Sequence, residues 1–285
     1  MAISAAAVKE LREKTGAGMM DCQRALTEAG GDMEEAVKIL RKKGLAAAAK
    51  KAGRTAKDGL VVVSIAGDRK SGAVVELNCE TDFVARTERY QEFAAKIAGQ
   101  VVAEQLGDVA ATLSRPFAGD PEHTVEQAIS SEIATIGENI RLTRVGFLAP
   151  LNGMQVGSYL HMGGKIGVLV QLSEGADEDT VKDVAMHIAA AEPRFVDRDS
   201  VPAAVVAEER EIAAAQVPSG KPAQVVEKIV DGKVAKFFEQ ACLLEQPFVK
   251  NPEETVGRML AGRGGVSVAA FLRFKLGEAS EAGTE

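Results

Sequence analysis

Apolar residues in the first 44 positions recur at helical spacing and predict three short helices. The first helix begins after Ser4, turns Val8 and Leu11 to one face, and ends at Gly16 and Gly18. Three helices of this size bury only a marginal core. We therefore expect a small module that works by docking onto another surface.

The second and third helices are bounded by acidic residues and glycines. Asp21 is placed to cap the second helix, which ends at the glycine pair 30–31. Asp32 is placed to cap the third helix, which ends at Gly44. The segment 45–58, rich in Ala and Lys, fits either a helix or a linker. The positions expected to face inward are Cys22, Ala25, Leu26, Ala36, Val37 and Leu40.

Runs of β-branched residues in the middle of the chain predict two hairpins, each followed by a helix. The paired segments are 59–66 with 72–79, before a helix at about 87–104, and 154–162 with 165–173, before a helix at 180–191. The chain therefore contains two related halves.

The two halves differ in the connection between the second strand and the helix. Gly72 precedes Ala94 by 22 residues, whereas Gly167 precedes Ala185 by 18, so the first half has four extra residues. They fall at Thr81, Asp82, Phe83 and Val84. A loop extension that the sister half lacks is a candidate functional site. The side chain of Phe83 either projects from this loop or folds back on the core.

The remaining segments predict a strand at 145–148, a helical hairpin and a final strand at 266–276. The hairpin joins a helix at about 199–216 to a second helix from Ala223. It either pairs with a second copy of the chain or packs within one chain. The dipeptide Asn251-Pro252 predicts a further helix start.

Composition excludes several classes of protein. The chain is 46% hydrophobic and 26% charged, as in globular proteins, and its 285 residues suggest two domains. A net charge of -7, an aromatic content of 4% and the lack of Trp argue against a nucleic-acid coat or base-stacking protein. Three distant cysteines, no signal-peptide pattern and no long apolar run favour a reducing, cytoplasmic location without a membrane span.

Charge is distributed unevenly along the chain. Residues 1–57 hold 12 Lys and Arg against 7 Asp and Glu, a net of +5, so the remainder carries -12. Such asymmetry suggests a separate module with its own partner. The basic stretch 41–57 leaves open a ribosome- or RNA-associated binding function, although its lysines also fit a solvated surface.

The histidines and the glycine-rich segments of the sequence do not match a known catalytic motif. His123, His161 and His187 lack a partner at metal-ligand spacing, and phosphate-loop and nucleophile-elbow patterns are absent from the sequence. We expect His187 to be packed in the core and His161 to be exposed, as a partner contact or a surface residue. No catalytic group, metal or cofactor is expected, which favours an interaction protein over an enzyme.

The turn at 15–20 places Met19 and Met20 beside flexible glycines. Methionines in such a position either form an adaptable contact surface or fill the core of the module.

Two motifs resemble bacterial elongation factor Ts: Thr-Gly-Ala-Gly-Met-Met-Asp-Cys at 15–22 and Asn-Cys-Glu-Thr-Asp-Phe-Val-Ala at 78–85. Shorter matches follow in family order at 136–140, 166–170, 186–190 and 246–249. The matches cover nearly the whole chain, and the first two motifs are highly specific.

The resemblance implies an α+β fold built from several parts. They are a three-helix module similar to ubiquitin-associated domains at 1–54, a first core subdomain at 55–140, a second at 141–179 and 233–277, a helical-hairpin dimerisation insert at 180–232, and a short polar tail at 278–285. The two subdomains are related α/β units with antiparallel sheets. Longer members carry a further C-terminal helical module, so we expect fewer partner contacts here.

The resemblance also implies a function, namely guanine nucleotide exchange on the translational GTPase elongation factor Tu. Phe83 would wedge between helices of the GTPase, Asp82 would add a polar contact, and Thr81 and Val84 would complete the loop that displaces Mg²⁺. The residues expected to bind other parts of the partner are Arg12, Met19, Met20 and His161. A homodimer through the hairpin is a further expectation, whereas membrane and direct nucleic-acid contacts are not expected.

Overall fold

The computed structural model describes residues 3–278, and it combines helices with antiparallel sheets. The predicted α+β class is therefore confirmed. The helices are α1 Ala5–Thr15, α2 Met19–Glu28, α3 Met33–Lys51, α4 Asp82–Ala85, α5 Glu88–Glu104, α6 Val109–Ser114, α7 Val125–Ile136, α8 Glu178–Ala191, α9 Ala203–Ala215, α10 Ala223–Ala241 and α11 Val256–Gly262, with a 3₁₀ turn at Leu243–Glu245. The strands are β1 Asp58–Ile65, β2 Gly72–Cys79, β3 Pro116–Phe117, β4 Asp120–Thr124, β5 Arg141–Leu148, β6 Met154–His161, β7 Ile166–Ser173, β8 Pro247–Phe248, β9 Asn251–Thr255 and β10 Val268–Lys275.

The internal repeat extends further than the two predicted hairpins. Each half consists of a hairpin, a helix, a two-stranded hairpin, a second helix and a third strand. In both sheets the second strand is central and all pairings are antiparallel, in the orders β1-β2-β5 and β6-β7-β10. The α9–α10 hairpin interrupts only the second half.

The small hairpins β3–β4 and β8–β9 were not predicted, and they correct the expected helix start at Asn251. Asn251-Pro252 lies in β9, and the helix begins after Thr255, whose side chain accepts a hydrogen bond from the backbone N of Arg258. Proline is tolerated in β9 because this two-stranded ribbon has open edges. The overlooked sequence signal is Pro-Glu-x-Thr-Val, which occurs at 121–125 and again at 252–256.

The two three-stranded sheets pack face to face, with helices on their outer sides. Every residue of β2 is buried, as expected for a strand covered on both faces. Glycine permits the close approach: a Cβ on Gly167 would lie 2.5 Å from Cγ1 of Val61, and one on Gly146 would lie 2.9 Å from Cδ1 of Leu272. The layer between the sheets is built on Val61, Val74, Leu148, Val156 and Leu169.

The outer layers pack helices against each sheet. On the first sheet, Tyr90, Ile97 and Val101 of α5 share a core with Ile129 and Ile133 of α7. On the second sheet, α8 and α11 pack in the same way, with a core that includes Val184, Ile188, Val256 and Leu260. Both halves therefore bury the same kind of helix face against a central strand.

The N-terminal module has the three predicted helices, but two of their ends differ from the prediction. Ser4 and Asp32 cap α1 and α3 as expected, whereas α2 begins after Gly18, so Asp21 lies inside its first turn. The third helix does not end at Gly44. The predicted inward positions Cys22, Ala25, Leu26 and Ala36 are fully buried, and Val37 and Leu40 pack against them.

Gly44 is a packing residue because α3 crosses α7 there. A Cβ at Gly44 would lie 3.6 Å from Cβ of Ala134 and 3.7 Å from the carbonyl O of Ser130. The helix then continues without interruption to Lys51. The Ala- and Lys-rich segment after Gly44 is therefore mainly helical, and one helix belongs to both the N-terminal module and the first half of the core.

The positions of β5 and α8 do not follow the predicted domain boundaries. Strand β5 pairs with β2 in the first sheet, and α8 packs on the second sheet through Val184 and Ile188. The predicted division at 140 and 180 assigns β5 to the second subdomain and α8 to the insert. The division into domains itself stays a prediction, and positions 279–285 of the expected tail lie outside the described residues.

The helical hairpin α9–α10 packs its apolar face mainly within itself. Ala213 of α9 and Val230 and Val234 of α10 are buried against each other, with Val206 and Phe238 beside them. Within residues 3–278, no helix is both long enough and apolar enough to cross a membrane.

Candidate functional site

The four-residue extension of the first half, 81–84, supplies the cap and the first three residues of a one-turn helix, α4. Thr81 caps it, since its Oγ1 accepts a hydrogen bond from the backbone N of Val84 at 3.4 Å. Ala85 is buried beneath the turn, whereas the side chain of Phe83 is 80% exposed. The alternative in which Phe83 folds back on the core is therefore wrong, and an aromatic ring projects from the loop.

The residues beneath α4 are buried and hydrogen-bonded. The hydroxyl of Tyr90 donates to the carbonyl of Leu77 at 2.9 Å, and Sγ of Cys79 donates to the carbonyl of Thr81 at 3.1 Å. Burial raises the pKa of the Cys79 thiol to about 11, so this thiol stays protonated and can donate. Thr81 also donates to Glu138 from its hydroxyl at 2.7 Å.

The polar residue of the extension, Asp82, is partly exposed and pairs with Arg86 one turn away. Oδ2 of Asp82 lies 2.8 Å from NH2 of Arg86. Exposed pairs of this kind contribute little to stability. The carboxylate of Asp82 is consequently free to exchange its intramolecular partner for an intermolecular one at low cost.

The turn at 15–20 leads into α2, and the first two residues of that helix are the two methionines, which are exposed to solvent. We call this segment the methionine turn. Met19 is 55% exposed and Met20 is 63% exposed, so the alternative in which they fill the core of the module is wrong. Gly18 sits at the helix start in an extended conformation. Arg12 on α1 is also exposed.

Arg89 brings this turn to the first half of the core. A Cβ on Gly16 would lie 2.9 Å from NH2 of Arg89, so backbone and guanidinium are in close contact. Arg89 is itself held by a bidentate pair with Glu132, at 2.8 and 2.9 Å. Since α4 ends at Ala85 and α5 begins at Glu88, Arg89 connects the turn at 15–20 to the segment that follows the α4 loop.

The tip of the β6–β7 hairpin reaches the same edge of the first sheet. Nζ of Lys165 lies 3.4 Å from Oδ1 of Asp58, and the backbone N of Val61 donates to the carbonyl of Gly164 at 2.7 Å. Asp58 pairs with Cys79, the last residue of β2 before the α4 loop. The hairpin tip therefore lies beside this loop.

The tip of the β6–β7 hairpin exposes more apolar surface than its sequence pattern indicates. His161 is exposed as expected, and its Nδ1 lies 3.1 Å from the hydroxyl of Tyr159. The residues on either side, Leu160 and Met162, are 45% and 72% exposed. Met162 adopts a left-handed φ of +50°, which is unusual for a long side chain and tightens the turn. Leu160 and Met162 were overlooked because nothing in a hairpin sequence indicates which tip residues stay uncovered.

His187, Cys22 and Cys242 are buried side chains outside these three segments. His187 is fully buried, with Nε2 2.9 Å from Oε1 of Gln246, and burial lowers its pKa, which confirms the expected core histidine. Burial also raises the pKa of Cys22 and, to about 11, that of Cys242. In the described part of the chain, His, Cys, Asp and Glu do not cluster in a group of three or more that could hold a metal ion.

The site is thus an exposed, largely apolar surface assembled from three segments. A family model described as Elongation factor TS matches residues 80–278, from just before α4 to just beyond β10. Elongation factor Ts of Methylococcus capsulatus is 49% identical over 284 residues, which are 99% of this chain and 94% of that protein. The chain belongs to the elongation factor Ts family.

A second relative agrees with this membership. Elongation factor Ts of Thioalkalivibrio sulfidiphilus is 46% identical over 286 residues, which cover 100% of this chain and 96% of that protein. The resemblance seen in the sequence motifs is therefore confirmed. As a member of the elongation factor Ts family, the chain is a translation elongation factor of the nucleotide exchange class.

Proposed function

We propose that this protein binds elongation factor Tu in its GDP-bound state and accelerates the release of GDP, so that GTP can load. The observation that carries the proposal is Phe83, whose aromatic side chain is 80% exposed in the short, capped helix α4. Aromatic side chains are strongly enriched among the residues that dominate binding energy at protein interfaces.

The α4 loop acts on the partner through shape. Phe83 enters between helices of the GTPase, Asp82 adds a polar contact, and Thr81 and Val84 hold the turn in place. Mg²⁺ bridges phosphate oxygens and protein in GTPases and neutralises their charge. A wedge that stabilises a conformation with a distorted Mg²⁺ site therefore loosens GDP without touching it.

Thermodynamic linkage relates the binding of this protein to the binding of GDP. If binding of this protein weakens GDP binding by some factor, GDP weakens binding of this protein by the same factor. Covalent chemistry is not required for this exchange. In the exchange, one nucleotide leaves the GTPase and another binds. This agrees with a site that has exposed apolar and charged side chains.

The other two segments give the partner further points of attachment. Met19 and Met20, with Arg12 nearby on α1, bind one part of the GTPase, and His161 binds another. Flexible methionine side chains adapt to an apolar groove. Contacts at two further segments help to fix the direction of the wedge, since a single point of attachment leaves rotation free.

The alternative function, RNA binding through residues 41–57, receives little support. Several cations of this stretch have intramolecular partners. Nζ of Lys43 lies 2.7 Å from Glu28, Nζ of Lys51 donates to the carbonyl of Ile133 at 3.4 Å, and Arg54 lies 3.5 Å from Glu80. Exposed pairs of this kind can be exchanged at low cost, so the stronger argument against nucleic acid is the net charge of -7 together with an aromatic content of 4%. We do not extend the proposal to nucleic acid.

Self-association through the α9–α10 hairpin stays a prediction. The hairpin buries much of its apolar surface between its own two helices, but Ile212 and Val225 remain 46% and 41% exposed. Sedimentation velocity of the wild type and of an Ile212→Lys variant tests it. A wild type that sediments as a monomer at all concentrations would contradict it.

The central experiment is stopped-flow release of a fluorescent GDP from elongation factor Tu. We expect the wild type to accelerate release by orders of magnitude and Phe83→Ala to lose most of that acceleration. Leu151→Ala is the matched control, because Leu151 is 48% exposed but precedes β6 at the end opposite His161. If the wild type leaves GDP release unchanged, the proposed function is wrong. If Phe83→Ala matches the wild type, the wedge assignment alone is wrong.

A further inference from the structure

The α4 loop is tied to the segment after α7 by one carboxylate. Oε2 of Glu138 accepts hydrogen bonds from the backbone N of Glu80 at 3.1 Å and of Thr81 at 3.0 Å. Oε1 of the same residue accepts from the hydroxyl of Thr81 at 2.7 Å. All three are charge-assisted hydrogen bonds, which are stronger than bonds between neutral groups.

A second set of bonds runs in the opposite direction. Oε1 of Glu80 accepts from the backbone N of Asn139 at 2.7 Å, and the buried side chain of Asn139 donates to the carbonyl of Arg54 at 2.8 Å. The two loops thus exchange carboxylate-to-amide bonds. We name Glu80, Thr81, Glu138 and Asn139 together the loop clasp.

Thr81 connects this clasp to the exposed aromatic ring. Its Oγ1 donates to Glu138 and accepts from the backbone N of Val84, so the bond to Glu138 fixes the hydroxyl in the orientation that caps α4. A helix of four residues is too short to persist by its own hydrogen bonds. The direction of Phe83 therefore depends on a side chain 55 positions later in the chain.

We propose that Glu138 is a positioning residue for nucleotide exchange: through Thr81 it holds α4, so that Phe83 reaches the GTPase already oriented. This inference rests on the proposed function and deepens it. The carboxylate acts on the exchange step by removing the alternative loop conformations that a free wedge would sample. Binding through the methionine turn and the hairpin tip does not require it.

The test compares Glu138→Ala with Glu126→Ala, a control on the exposed first turn of the preceding helix. Release of fluorescent GDP from elongation factor Tu is measured at increasing concentrations of each variant. We expect Glu138→Ala to lower the maximal rate by about tenfold and to change the half-saturating concentration by less than about threefold. Glu138→Gln keeps the shape of the side chain without its charge. We expect the maximal rate of this variant to lie between that of Glu138→Ala and that of the wild type.

Two further measurements separate positioning from general damage. In the double variant Phe83→Ala/Glu138→Ala we expect the rate of Phe83→Ala alone, because the two residues act through one contact. In the free proteins, we expect hydrogen exchange at the amides of Glu80 and Thr81 to accelerate in Glu138→Ala and not in Glu126→Ala. A merely destabilised protein would instead raise the half-saturating concentration at an unchanged maximal rate, and this result would overturn the inference.

The outcomes distinguish the two levels of the proposal. A wild type that accelerates release, with Glu138→Ala equally fast, overturns the positioning role and leaves the exchange function standing. A wild type without effect overturns the exchange function and the positioning role with it. If Glu138→Ala fails to fold, Glu138→Gln decides, and a Gln variant with the wild-type maximal rate and wild-type amide exchange overturns the inference.

Discussion

Arg144 on β5 donates from Nε to Oε2 of Glu76 on β2 at 2.7 Å, and Glu76 has no exposed surface. The other oxygen of Glu76 accepts from the backbone N of Gly277 at 2.8 Å. Arg144 also donates from NH2 to the carbonyl of Lys275 at 2.6 Å. This one ion pair therefore fastens the end of the second sheet to the first.

We expect Arg144→Met to lower the free energy of unfolding by about 3 kcal/mol, because it leaves a buried carboxylate without its cation. Urea denaturation followed by circular dichroism measures the change. The matched control is Arg210→Met, which breaks an exposed pair with Asp231 and should cost under about 1 kcal/mol. Equal losses in the two variants would contradict the special role of the buried pair.

Two glycines predict opposite effects of the same substitution. A Cβ at Gly157 on β6 would lie 2.0 Å from Cγ1 of Val181 on α8, so Gly157→Ala should destabilise by about 1–3 kcal/mol through overpacking. Gly99 on α5 has open space around its Cβ position, and Gly99→Ala should stabilise by up to about 1 kcal/mol. Thermal unfolding of both variants tests the packing of α8 on β6, and a Gly157→Ala variant as stable as the wild type would show that Val181 can move to make room for the methyl group.

Stability should fall in mildly acidic solution because of His187. Burial lowers its pKa in the folded state below the ordinary value of about 6.5, so the unfolded chain binds a proton more readily. This contribution to stability is fully present above about pH 6.5 and is lost as the pH falls below it. We expect the melting temperature to drop between pH 7.5 and 5, and to drop less in His187→Gln. Parallel curves for the two proteins would exclude His187 as the cause.

The methionine turn should affect affinity more than rate. In a Met19→Ala/Met20→Ala variant we expect the concentration for half-maximal GDP release to rise about tenfold while the maximal rate stays near the wild-type value. Stopped-flow titration measures both quantities. A lower maximal rate at unchanged half-saturation would instead place this turn in the exchange step, beside Phe83.

The thiols should resist alkylation in the native protein. Cys22, Cys79 and Cys242 are buried, and burial raises the pKa of Cys79 and Cys242 to about 11, which leaves little thiolate at neutral pH. We expect iodoacetamide at pH 7.5 to react slowly with the folded chain. In urea, we expect it to react readily with all three thiols. Mass spectrometry of the time course checks it, and rapid native modification of one thiol would indicate local opening there.

Local patterns predicted most of the elements, whereas long-range packing decided the features that build the site. Helix α3 passes through Gly44 because α7 approaches it there, and a sequence cannot distinguish a packing glycine from a helix-ending one. The extension at Thr81 to Val84 was found by comparing the two halves, but its orientation depends on Glu138. Similarly, the exposure of Met162 depends on where the β6–β7 tip meets the first sheet.

The unbroken course of α3 has a consequence for how this protein meets its partner. Because one helix runs from the three-helix module onto α7, the spacing between the methionine turn and Phe83 is set when the chain folds. Most of the entropy of arranging these two contacts is lost before the encounter, so association does not lose it again. Under the proposed exchange function, these two contacts reach the GTPase at a fixed separation, and a GTPase whose surface does not match that separation should bind this protein more weakly.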